Sequence, residues 1–278
     1  MRGLLARLAA RGDPRGHNAP VQDPSRSPSF RLRARALLLA CALTAASAWA
    51  GRRVLAAPAA SADDGVFWLA LSLCVWIVAT AVLLAMSGGW SAARSAVQPG
   101  RGNLAWFLPW AVVGGWLLAH LGPSFLEFQR HWIHLDSGTR TGAAGAALHN
   151  APAWQVALVA GGLAAIAEEL FFRGAIVAAL RPARPAVWIA LSALLFALAH
   201  GNPERWPWTF VLGLGFGLAR WWSAGILAPI LMHAAYNGAL LRPDLLALDA
   251  DTRLDPMAAA GGMAAWLAAG AWLGRRPS

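Results

Sequence analysis

Apolar runs dominate the chain, and short polar breaks separate them. The runs fall at residues 36–51, 66–86, 104–121, 153–180, 186–200, 208–222, 225–241 and 257–273. Several approach or exceed the roughly 17–25 residues that a helix needs to cross a bilayer. The pattern predicts an all-α fold, a polytopic transmembrane bundle of about eight spans. The breaks divide the chain into an arginine-rich tail (1–35), three N-terminal helices (36–121) and a loop or interfacial helix (122–152). A core at 153–241 follows, then an acidic loop with the last helix (242–278).

Composition supports this reading. Of the 278 residues, 58% are hydrophobic and 13% charged, with sixteen tryptophans and one tyrosine. Ordinary soluble domains carry about 25% charged residues. The formal net charge is +10, and all of the basic side chains are arginine. Arginine collects in the tail and the short loops, which argues for membrane orientation rather than nucleic-acid binding. The tail is expected to be disordered. With eight spans both termini lie on one side, and Arg94, Arg101, Arg181, Arg184, Arg220, Arg275 and Arg276 lie there too. The positive-inside rule makes that side cytoplasmic, although Arg52 and Arg53 fall opposite. The expected location is the inner membrane of a bacterial cell, with membrane lipids as neighbours. Ala48-Trp49-Ala50 resembles a signal-peptidase site. The 35 residues before the first run are long for a signal peptide, so an uncleaved first helix is expected. Cys41 and Cys74 lie within apolar runs and read as small buried residues.

Against this background, polar residues inside the runs carry the chemical signal. Only four glutamates occur, and two are adjacent in Ala167-Glu168-Glu169-Leu170-Phe171-Phe172-Arg173-Gly174. A charge at the centre of a membrane helix costs roughly 2.5–3.5 kcal/mol on insertion scales. Glu169 and Arg173 are four apart and share a helix face, so they are expected to pair. Glu168 points about 100° away around the helix and has no partner there. It is the acid available for proton chemistry. His200 follows Phe196 by four residues, and His233 precedes Asn237 by four. Isolated polar groups in lipid need partners, and one shared cavity would serve them all.

Such a cavity can hydrolyse an amide. Glu168 can accept a proton from water. A histidine can orient that water or protonate the leaving amine, and a histidine with an asparagine can donate to the oxyanion. Other patterns carry less. Gly213, Gly215 and Gly217 suggest a close helix contact rather than a phosphate loop. His131, His134 and His149 read as surface histidines, for no carboxylate or cysteine completes a ligand set.

Glu-Glu-x-x-x-Arg, Phe-x-x-x-His and His-x-x-x-Asn, in this order on successive apolar helices, resemble the CPBP family. These intramembrane proteases include CAAX prenyl endopeptidases of the Rce1 type and bacterial Abi proteins. The likeness covers residues 153–241. It implies that Glu168 activates the water, that His200 and His233 assist, and that Asn237 completes the oxyanion site. Glu169, Arg173 and Phe196 support them. No cofactor is expected; the alternative is a zinc ion on Glu168, His200 and His233. The implied partner is a peptide or protein substrate, lipidated or bearing a C-terminal signal, and not nucleic acid. The competing readings are a proton-coupled transporter and an inactive relative acting as an immunity or scaffold protein.

Overall fold

The computed structural model describes residues 62–100, 104–133, 152–180, 183–201, 203–241 and 255–275, with isolated helical positions between 35 and 46. The expected tail, most of the first expected helix, Cys41, His134, His149 and most of the acidic loop lie outside them. The described residues are helical, with no strand among them. Helix α1 spans Ala62–Ala96 and α2 spans Leu104–Ile133. Residues 153–180 form one unbroken helical run, α3. After it come α4 (Pro185–Ala199), α5 (Trp206–Ser223), α6 (Leu227–Leu241) and α7 (Pro256–Leu273). Among the described residues one helix, Leu104–Trp132, is long and apolar enough to cross a membrane.

Local chemistry places the helix ends. Pro185 opens α4 and Pro256 opens α7, where a missing N–H costs nothing. Asp255 caps α7, its carboxylate accepting from the N–H groups of Met257 and Ala258. Helix α5 stops where Ala224 turns left-handed at φ 50°. The Ser223 hydroxyl bonds the Ala219 carbonyl at 2.7 Å and accepts from the Gly225 N–H. Two helices outrun the apolar pattern. Helix α1 continues past residue 86, and α2 continues through Gly122 and Pro123 to Ile133. In that extension Phe125 packs on Trp208, and the Gln129 side chain donates to the Glu204 carbonyl. Cys74 is exposed rather than buried. On α1 the inward positions are Leu73, Trp76, Ala79, Thr80 and Leu83, and residue 74 turns away from that stripe.

Helix α3 is the centre of the bundle. Its winding alternates between α (Ala153–Gln155, Ala164–Glu169, Val177–Leu180) and π (Val156–Leu163, Leu170–Ile176). Such π segments are uncommon and gather at functional sites. Every residue from Phe171 to Val177 is buried. Helix α1 lies along this run, with Trp76 against Phe171 and Phe172 at ring distances of 4.6 and 5.3 Å.

Small residues set the other spacings. A Cβ on Gly213 would sit 2.8 Å from the Ala193 Cα, and one on Gly217 would sit 2.9 Å from Ile189 Cγ2. These two glycines face α4, while Gly215 faces Met232 and Leu118. The alternating glycines are therefore contacts between helices. Gly115 lets α2 meet the backbone of α6 at Met232 and Tyr236. Helix α7 is held to α2 by a reciprocal clasp. Trp110 Nε1 donates to the Trp266 carbonyl at 3.0 Å, and Trp266 Nε1 to the Trp110 carbonyl at 2.8 Å. Their rings stack at 4.3 Å.

A Cβ at Gly115 would overlap the Met232 carbonyl, one residue from His233. Gly115→Val should destabilise the protein by about 1–3 kcal/mol, the usual range for overpacking. Thermal unfolding in mild detergent checks it; an unchanged midpoint would show that α2 and α6 are not in contact there.

Candidate active site

Three helices deliver the polar side chains of the motifs. The acidic motif sits at the junction of the α-helical Ala164–Glu169 and the π-helical Leu170–Ile176. His200 caps the end of α4, and His233 and Asn237 lie on α6.

Glu169 is fully buried and stands at the hub. Its Oε1 lies 3.0 Å from Arg173 Nη1, the pairing expected from their spacing. The same oxygen lies 3.0 Å from His233 Nδ1. Arg173, also fully buried, donates from Nη2 to the Gly213 carbonyl at 2.9 Å. One carboxylate and one guanidinium thus tie α3 to α5 and α6. Aromatic rings enclose the pair. The guanidinium carbon lies 4.6 Å from the Phe196 centroid, 5.3 Å from Phe216 and 5.8 Å from Phe172. These are cation–π distances. They also exclude water, which strengthens the ion pair.

The His233 ring stacks on Phe216 at 4.6 Å and 17°. Phe196 presents its ring to both histidines, at 4.7 Å from His200 and 5.8 Å from His233. Its carbonyl accepts from His200 Nδ1 at 2.8 Å. His200 itself is exposed. Asn237 donates from Nδ2 to the Ala160 carbonyl at 2.8 Å, tying α6 to the first π stretch of α3. Glu168 is half-buried, and its Oε2 is enclosed without a hydrogen-bond partner, as is Glu169 Oε2.

Sequence reasoning named Glu168 and the two histidines as neighbours of one cavity. The structure joins His233 to Glu169, joins His200 to the backbone of its own helix, and sets the Phe196 ring against both imidazoles. Among the described residues no three His, Cys, Asp or Glu side chains converge as a metal-ligand set. Phe216 and the Gly213 carbonyl escaped the sequence reading because their contacts are long-range. Arg220 was counted among the loop arginines. It is 4% exposed, and it donates to the Ser95 carbonyl at 3.0 Å and towards the Arg173 carbonyl at 3.4 Å. An arginine within an otherwise apolar run was the available signal.

Removing one partner of a buried ion pair costs about 3–5 kcal/mol, because the other charge is left uncompensated. Arg173→Ala should therefore lower stability by that order and reduce yield. Thermal unfolding of the variant beside the wild type checks it; equal midpoints would contradict the pairing.

Neither a curated protein nor a solved structure matches the chain. Residues 150–239 match the family model described as type II CAAX prenyl endopeptidase Rce1-like. That family is membrane-embedded and proteolytic. The matched stretch holds the buried Glu169–Arg173 pair, Glu168, both motif histidines and Asn237, and this Rce1-like segment supports membership of the CPBP family.

Proposed function

We propose that the protein is an intramembrane endopeptidase that cuts a peptide bond by means of water activated at Glu168. One observation carries this reading. Each of the two adjacent glutamates keeps one enclosed oxygen without a donor, but Glu169 is engaged through its other oxygen by Arg173 and His233, whereas Glu168 makes neither of these contacts. A carboxylate in that setting is suited to take a proton. Glu168 removes one proton from water as the oxygen bonds to the peptide carbonyl carbon. The carboxylic acid so formed returns the proton to the leaving nitrogen as the C–N bond breaks. His200 and His233 assist at the water, and Asn237 donates to the oxyanion. The chemistry as proposed needs no resident metal.

The substrate is proposed to be a protein segment held in or at the bilayer, with a lipid or a C-terminal signal to keep it there. The outer surface supports a lipid setting: Val78, Trp106, Val113, Leu158 and Leu194 are all exposed large apolar side chains. In the proposed topology the termini are cytoplasmic. Helices α2, α4 and α6 then run outward, and His200 and Asn237 lie towards their outer ends. Water and substrate enter from the extracytoplasmic side.

Purified protein incubated with a peptide library in bilayers should generate new termini, read by mass spectrometry. Glu168→Gln should abolish that cleavage with the fold intact, and exhaustive chelation should leave the wild-type rate unchanged. Normal turnover by Glu168→Gln would remove Glu168 from the mechanism. Loss on chelation with rescue by zinc would assign the water to a metal instead.

Side of access is tested separately. Glu204 and Arg275 are exposed at opposite ends of the bundle. With Cys41 and Cys74 replaced, a cysteine at 204 should react with an impermeant reagent from outside the cell and a cysteine at 275 only from inside. The opposite labelling would invert the site.

A further inference from the structure

The protons of the two motif histidines can be placed from their partners. A carbonyl oxygen only accepts, so His200 Nδ1, at 2.8 Å from the Phe196 carbonyl, carries a hydrogen. For His233 the partner is Glu169 Oε1, at 3.0 Å, an oxygen that also lies 3.0 Å from Arg173 Nη1. A guanidinium is permanently charged and only donates. Glu169 Oε1 takes a guanidinium hydrogen and is therefore an acceptor. His233 Nδ1 therefore carries a hydrogen as well.

From these contacts we infer that His200 and His233, when neutral, are both fixed as Nδ1–H tautomers with a bare Nε2, and that Glu169 and the Phe196 carbonyl are the positioning groups that fix them. The inference deepens the proposed peptidase reading and takes its catalytic meaning from it. A neutral ring in this form cannot donate from Nε2. While neutral, neither histidine is then the oxyanion donor that the sequence suggested. Each is an acceptor at Nε2, and one of the two can receive the second hydrogen of the water whose first proton passes to Glu168. Oxyanion donation falls to Asn237. Its Nδ2 carries two hydrogens, and the bond to the Ala160 carbonyl uses one. Ring orientation is set by the same contacts: Phe216 stacks on His233, and the Phe196 ring meets both imidazoles edge-on. Glu169 thereby acts on the reaction through His233, beyond its part in burying Arg173.

The test is nitrogen NMR of the full-length protein, labelled with 15N-histidine and held in bilayers at a pH where the rings are neutral. His200→Gln and His233→Gln assign the two rings by loss of signal. In the wild type both rings should show a protonated Nδ1 and a bare Nε2. Glu169→Ala should lose the Nδ1–H form at His233 and keep it at His200, whose unchanged signal also reports an intact fold. Should that variant fail to fold, the wild-type spectrum decides alone. A hydrogen on Nε2 of either neutral ring overturns the inference, whatever the peptidase assay gives. The expected tautomers in a protein that cleaves no peptide would overturn the peptidase reading and leave the inference standing.

Discussion

One carboxylate oxygen organises this bundle. Glu169 Oε1 receives Arg173 Nη1 and His233 Nδ1, each at 3.0 Å, in a region without exposure. Burying a guanidinium and a carboxylate carries a large desolvation cost, and only close pairing with further hydrogen bonds offsets it. Here the offset comes from three directions. The Gly213 carbonyl takes a second guanidinium hydrogen, Phe196, Phe172 and Phe216 surround the cation, and the imidazole shares the anion. Because the partners sit on α3, α5 and α6, the pair fixes helix positions as well as charges. It also separates the roles of two adjacent, chemically identical side chains. Glu169 is bound into this network, and Glu168 makes neither contact.

The surrounding packing serves that constraint. Arg173 reaches Gly213 only because α5 lies close to α3 and α4, and glycine at 213 and 217 permits the approach to α4. His233 is carried on a helix that Gly115 allows against α2, and α2 is in turn clasped to α7 by the paired indoles of Trp110 and Trp266. Arg220 closes the far end by bonding Ser95 at the end of α1. Tryptophan is abundant in this chain, and it does structural work where an N–H can reach a carbonyl or hydroxyl inside an apolar interior. Trp208 Nε1 to the Tyr236 hydroxyl, at 3.0 Å, is another case.

The local part of this was legible in the sequence. Four-residue spacing gave the Glu169–Arg173 pair, the apolar runs gave the helices of the core, and the glycine alternation gave a helix contact. What escaped depends on tertiary approach. Nothing in the spacing of His233 says that Glu169, rather than Glu168, will meet it, for the two glutamates differ by one step around a helix whose winding changes at that point. The π segments on either side of Ala164–Glu169 carry no sequence pattern of their own, and they alter which residues face inward. Helix lengths were short-counted where polar residues extend an apolar helix, as at Ser87 in α1 and Gly122 in α2. Arg220 looked like a loop charge because hydropathy cannot tell a buried cation with carbonyl partners from a solvated one.

The division of labour between the two glutamates is most directly measured by paired double-mutant cycles on unfolding free energy in detergent. Glu169→Gln and Arg173→Met should couple strongly, by about 1–3 kcal/mol, as groups in one network do. Glu168→Gln and Arg173→Met should couple more weakly, since Glu168 makes no ion pair with the guanidinium. Strong coupling at Glu168 with additivity at Glu169 would show that the pairing is the reverse of the one described, and that Glu169 is the free acid.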